Sequence, residues 1–209
     1  MPAILPLGDC AVLVRFADTL SAEANREAID FAARLDADVP EGVEEVAPGL
    51  VSVLLRTRPD VDFWRLSGEL RLRMEGSHEA RPSREVTIPV VYDDDDLMDV
   101  CSKLKLAPGN FVVRHGGTPL RVLATGFAPG FVYCGFHSPM LVVPRREQVR
   151  PLVPAGTVLF AAGQTAIAAT PIRTGWHVIG RTIFQNFDPD ETPPTAFAPG
   201  DTVEFTVAM

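Results

Sequence analysis

The stretch GFAPGFVYCGFHSPMLVVPRREQVRPLVPAG, residues 126–156, decides how the chain is read. Its glycines and prolines recur too often for a helix interior and for most regular strands. Phe127, Phe131, Tyr133 and Phe136 make it too apolar for a solvated linker. Long loops in compact domains are usually functional or disordered, and this composition argues against disorder. The stretch therefore predicts an ordered loop lining a concave surface.

Working outward, short apolar runs at 120–125, 140–143, 157–162, 165–170, 176–182 and 202–207 read as strands. Turn residues separate them at short intervals, the pattern of a barrel or sandwich. Just before them, Pro108 suits the first turn of a short helix carrying Phe111 and Val112 and ending near Gly116-Gly117.

The N-terminal half differs in kind. LGDCAVLVRF at 7–16 reads as a strand. Ser21 is a suitable N-cap for a helix whose Ala24, Ala28, Phe31, Ala32 and Leu35 share one face. Strands at 43–47 and 50–57 flank the Pro48-Gly49 turn, and Pro59-Asp60 opens a second helix carrying Phe63, Leu66, Leu70 and Met74. Residues 84–92 alternate as a further strand. The order β-α-β-β-α-β over the first ninety or so residues predicts an α+β, ferredoxin-like four-stranded antiparallel sheet under two helices. With the boundary near 84–95, the division is residues 1–84 and residues 85–209. The acidic run Asp93–Asp96 before Leu97 and Val100 reads as a helix cap that complements the dipole, with a Mg²⁺ or Ca²⁺ site as the sharper alternative.

Bulk properties exclude several functions. At 209 residues with 46% hydrophobic and 22% charged content, the chain is an ordinary globular one. A net charge of -8 argues against nucleic acid as the main partner. Cys10, Cys101 and Cys134 have neither disulfide-framework nor metal-ligand spacing, which points to a reducing cytoplasm. MPAILPLGDC lacks the basic region of a signal peptide, and no run is long enough to predict a membrane span. Phosphate-loop, dinucleotide, zinc-protease and nucleophile-elbow motifs are missing.

Candidate site residues therefore come from the β-rich half. Arg145, Arg150 and Arg181 carry planar forks suited to a small carboxylate or phosphate, unless they pair with surface acids. His115, ahead of Gly116-Gly117, is the best-placed general base, or a cap for its own helix. His137, His78 and His177 are weaker candidates. Gln164 either points into a pocket or satisfies a turn, and Tyr133 with Trp176 suits an apolar wall with a polar tip. Cys134 reads as a buried inert thiol.

These residues carry a resemblance. GFAPGF at 126–131, Tyr133, Pro144-Arg145, VPAGTV at 153–158, Gln164-Thr165 and GWHVIGRT at 175–182 resemble the KipI family, also called allophanate hydrolase subunit 1 or the 5-oxoprolinase B subunit. LGDCAVLVRF and IPVVYD at 88–93 extend the likeness over nearly the whole chain. The resemblance implies an N-terminal α+β domain and a cyclophilin-like β-barrel. It also implies a KipA-like second subunit and ATP-dependent opening of a small lactam or ureido acid. The other roles it implies are inhibition of a histidine kinase and the carboxyltransferase part of urea amidolyase; prolyl isomerase activity follows only from analogy of fold. On the enzyme reading, Arg145, Arg150 and Arg181 hold carboxylate or phosphoryl groups, Tyr133 and Trp176 wall the pocket, and His115 with Gln164 orients or deprotonates. Three positions depart from the family pattern: Val149-Arg150 lacks a proline, Ala168-Ala169 replaces Tyr-Pro, and Arg173-Thr174-Gly175-Trp176 replaces Pro-Gly-Gly-Trp.

Overall fold

The computed structural model describes residues 2–74, 83–93 and 95–208, the side chain of Asp95 excepted. The chain divides into two compact units, Met1–Pro82 and Ser83–Met209.

The first unit contains β1 (Ala3–Pro6), β2 (Ala11–Arg15), α1 (Ala22–Ala37), β3 (Val43–Pro48), β4 (Ser52–Thr57) and α2 (Phe63–Met74). Helix α1 starts where its cap predicts, with Ser21 Oγ accepting from the Ala24 N–H at 3.1 Å. Its apolar stripe of Ala28, Phe31 and Leu35 packs with Leu66 and Leu70 of α2 and with Val12, Val14, Val53 and Leu55 of the sheet. Burying side chains such as Phe31 and Leu35 stabilises by roughly 1.5–3 kcal/mol each. Helix α2 begins after Asp62, whose Oδ1 accepts from the Arg65 N–H at 2.8 Å, so Pro59-Asp60 lies ahead of it.

The sheet runs β1-β2-β4-β3. Strands β2 and β3 flank β4, which pairs antiparallel with both, so β2-α1-β3 is a split βαβ unit. The fourth strand corrects the sequence expectation. Residues 84–92 leave this sheet, and β1 takes the place beside β2 as a hairpin. A hairpin needs only a short turn, here closed by the Leu7 N–H on Ala11 O at 2.8 Å.

The second unit contains β5 (Glu85–Val90), α3 (Asp95–Leu104), α4 (Pro108–Gly116), β6 (Leu120–Thr125), β7 (Val132–Gly135) and β8 (Arg150–Val153), followed by β9 (Thr157–Ala161), β10 (Gln164–Ile167), β11 (Ile172–Thr174), β12 (His177–Arg181) and β13 (Thr202–Val207). Its seven-stranded sheet has the order β12-β9-β10-β7-β6-β13-β5, and β8 pairs with β11 as a separate ribbon. The sheet curls until its two edge strands approach. Val91 and Arg181 then exchange backbone hydrogen bonds at 2.9 and 3.0 Å. Only glycine fits at position 180, because a Cβ there would lie 2.4 Å from Val91 O.

The stretch 126–156 is therefore not one long loop. It contributes β7 to the middle of the sheet, between β6 and β10, and β8 to the ribbon. Gly130 and Gly135 flank residues 132–134 rather than interrupt them, so Val132 and Cys134 face one core and Tyr133 the other. Pro151 is tolerated because β8 pairs on one side only. Residues 140–143 form no strand: the Leu141 N–H closes a turn onto Ser138 O at 2.8 Å, and Leu141 and Val143 are buried.

Alternation separates two apolar layers. Ile88, Val90, Val122, Cys134, Phe160, Ile167, Ile179 and Phe205 face the main core, packed with Val100 of α3 and Phe111 of α4. Leu159, Ala161, Ala166 and Val178 face the opposite layer, with Phe131, Tyr133, Trp176, and Val153 and Ile172 of the ribbon. Among the described residues, no helix is long and apolar enough to cross a membrane.

Candidate functional site

In the smaller layer, the Phe131 and Tyr133 rings lie 4.8 Å apart and those of Tyr133 and Trp176 6.0 Å apart, both edge to face. The Arg145 guanidinium lies 5.7 Å from the Trp176 ring centroid, within cation–π range. Arg145 is exposed, and among the described residues it has no carboxylate partner. Burial raises the Tyr133 pKa, while the Arg145 charge pulls it back. Gln164 is 6% exposed and neighbours Ala166 by alternation, which places it on this same face. Its side-chain amide has no partner among the described residues. A cation, a stacked aromatic wall and an open amide suit a small planar group bearing a carboxylate.

The segment carrying Arg145 is anchored by Asp96 at the start of α3. This carboxylate is only 4% exposed. It accepts from Arg146, from Arg150 Nη2 at 2.8 Å and Nε at 3.2 Å, and from the Val178 N–H at 2.9 Å. Burial opposes its charge, but Arg150, the Val178 N–H and Arg146 more than offset that and hold its pKa below the ordinary carboxylate range. The Asp96 oxygens are thus taken up by two arginines and a backbone N–H from outside its own helix, and among the described residues no group of three or more acids, histidines and cysteines suited to a metal ion occurs. Asp94 lies outside them, as does the side chain of Asp95.

The histidines occupy the other layer. His115 is fully buried, its ring at 5.6 Å from Phe111, 5.9 Å from Phe160 and 5.1 Å from Phe205. Its Nδ1 lies 2.8 Å from the Tyr92 hydroxyl and its Nε2 2.7 Å from Thr165 Oγ1. Thr165 Oγ1 also reaches His137 Nε2 at 2.8 Å. A hydroxyl has one proton, so Thr165 donates to one histidine and accepts from the other. Burial and the neighbouring His137 keep the His115 pKa well below normal, and burial takes that of His137 down to about 4. Both rings are neutral at pH 7.

A single family model, "carboxyltransferase domain, subdomain C and D", matches residues 2–197. The chain belongs to this family. Its curated relatives include the 5-oxoprolinase B subunit of Escherichia coli O157:H7, 33% identical over 95% of this chain and 93% of that protein. The corresponding Haemophilus influenzae protein, of the same name, is 32% identical over 98% and 97%. Among solved structures, TTHA0988 superposes with a TM-score of 0.83 at 35% identity, covering 96% of this chain. The chain spans about two fifths of TTHA0988, 40% of its length. Kluyveromyces lactis urea amidolyase shares the fold, with a TM-score of 0.81 at 14% identity over 100% of this chain and 15% of that one.

In this carboxyltransferase-domain protein, the residues singled out from sequence fall into three places. Tyr133, Arg145, Trp176 and Gln164 come together on one face. Arg150 is committed to Asp96, while Arg181 pairs with Asp93 at the surface. His115 stands across the sheet from Gln164 and joins Tyr92, Thr165 and His137. His177 is buried, with Nε2 at 3.0 Å from Pro144 O, and His78 lies outside the described residues. Sequence reading missed Asp96 and Thr165 as organising residues. The only local signal for Asp96 was an apolar neighbourhood, Leu97 and Val100, inside an acidic run.

Proposed function

We propose that this chain is a component of an ATP-dependent amide-bond hydrolase of the 5-oxoprolinase type, working with a KipA-like second subunit on a small lactam or ureido acid. The observation that carries this reading is identity of 30–33% to three proteins named as the B subunit of 5-oxoprolinase, over 95–98% of this chain. The likeness spans both units and nearly the whole length of those proteins. On the same reading the second unit is a cyclophilin-like barrel, and the first is a ferredoxin-like relative whose fourth strand is the N-terminal hairpin.

The substrate carboxylate sits on the Arg145 guanidinium, with Trp176 and Tyr133 as the wall beside it. The Gln164 amide donates to the lactam carbonyl. His115 is assigned a structural part, because its ring has no path to that face through the sheet. ATP supplies the free energy for opening a stable amide. The nucleotide is assigned to the assembled enzyme, and no step of this chain is routed through it.

The test is steady-state cleavage of 5-oxoproline by this chain reconstituted with its partner subunit. ATP-dependent release of glutamate that needs both components is expected. A reconstituted complex inactive on both 5-oxoproline and allophanate would overturn the proposal and favour a regulatory binding role.

A further inference from the structure

We infer that Asp96 is the positioning residue for Arg145: through Arg146, Arg150 and the Val178 N–H it sets the Arg145 guanidinium over Trp176. This rests on the substrate-binding role proposed for that face.

The geometry is a clamp between two segments. Arg146 and Arg150 delimit one, and both end on the buried Asp96 carboxylate. Val178, two residues after Trp176, belongs to the other and donates its N–H to that carboxylate at 2.9 Å. Two further bonds tie the segments on either side of Arg145. The Arg146 N–H donates to Gly175 O at 2.7 Å, and His177 Nε2 lies 3.0 Å from Pro144 O. A carbonyl can only accept, so His177 carries its proton on Nε2. Arg145 is thus bracketed by Pro144 and Arg146, each tied to the backbone or side chains that bracket Trp176.

A long side chain loses considerable rotamer freedom when it is fixed, and a prearranged one has less to lose on binding. Residues 145–150 lie outside β8 until Arg150, so no sheet ladder fixes Arg145. Asp96 takes that part.

The test uses the reconstituted complex. Asp96→Asn keeps the side-chain volume and removes the charge. It should raise the KM for 5-oxoproline about tenfold with kcat changed by less than about twofold, the signature of lost binding rather than lost chemistry. Arg145→Ala should do the same, and the double variant should be no worse than Arg145→Ala alone. Additive effects, or an unchanged KM in Asp96→Asn, would overturn the proposal. Arg146→Gln leaves Asp96 paired with Arg150 and Val178; it should raise KM in the same direction, and it decides the matter if Asp96→Asn does not fold.

A second readout does not depend on turnover. In this chain measured without its partner, a Trp64→Phe background leaves Trp176 as the one tryptophan that emits. Arg145→Ala removes the cation above that ring and should shift the emission, and Asp96→Asn should reproduce the shift. Emission unchanged by Asp96→Asn but changed by Arg145→Ala would sink the positioning role. If the wild-type complex fails to cleave 5-oxoproline while the emission shifts agree, the functional reading falls and the positioning of Arg145 stands.

Discussion

His115 Nε2 and Thr165 Oγ1 lie 2.7 Å apart inside the main core, whereas Gln164, one residue before Thr165, faces the opposite layer. A strand sends successive side chains to opposite faces, so a one-residue step divides the buried histidine cluster from the aromatic and arginine face. Thr165 is the hub of that cluster. Thr165→Val removes its hydroxyl and takes that partner from both His115 Nε2 and His137 Nε2, at a cost of roughly 1–3 kcal/mol for each nitrogen left unpaired. Thr165→Ser should recover most of the loss. Urea unfolding midpoints of the two variants at pH 7 check this.

The depressed histidine pKa values set a pH dependence. Unfolded histidine titrates near ~6.5, while His137 is held at about 4 and His115 lies well below its ordinary value. The unfolded state therefore binds more protons below pH ~6.5, so stability is full above that value and falls as the pH drops towards 4. The His137 shift by itself should account for about 2 kcal/mol by pH 5, with His115 adding to it, and His137→Phe should remove the His137 part. Asp96 acts at lower pH: its depressed pKa contributes stability above ~3.9 that is lost as pH falls further. Guanidinium titrations at a series of pH values separate the two windows.

Arg150 and Arg181 should differ sharply. The Arg181–Asp93 pair is exposed, with side chains 63% and 42% accessible, and pairs of that kind contribute ~0–1 kcal/mol. Arg181→Ala should shift stability by less than about 0.5 kcal/mol. Arg150→Ala removes two of the hydrogen bonds to a buried carboxylate and should cost about 1–3 kcal/mol, with Arg146 and the Val178 N–H limiting the damage. Thermal unfolding of both variants decides it.

Gly180→Ala tests the closure of the curled sheet. The added methyl would lie 2.4 Å from Val91 O and 3.0 Å from Val90 Cγ1. Either the Val91–Arg181 bridge opens or the strands part, and a loss of roughly 1–3 kcal/mol is expected. Faster amide exchange at Val91 and Arg181 than elsewhere in the sheet would locate the damage.

The three thiols should react unequally. Cys101 and Cys134 are buried and burial raises both pKa values, whereas Cys10 is half-buried. An aromatic disulfide reagent should label one thiol quickly in the folded protein and all three in denaturant. Fast labelling of Cys134 in the folded state would contradict its place in the core.

The sequence by itself determined the helices and most of the strands. Ser21 marks the start of α1, Pro108 that of α4, and short apolar runs mark β6 and β13, because caps and local patterns act within a few residues. The residues resembling the KipI family also marked the Tyr133–Arg145–Trp176 group. Only the tertiary structure decided how the strands join. The hairpin β1 replaces residues 84–92 in the first sheet, and β5 instead pairs in parallel with β13, from Thr202 opposite Glu85 to Val207 opposite Val90. No local pattern encodes a parallel pairing across more than a hundred residues, since its energy comes from burial on both faces of a finished sheet. The same holds for Asp96. One aspartate in an acidic run reads as a cap until folding brings Arg146, Arg150 and the Val178 N–H to a single buried carboxylate.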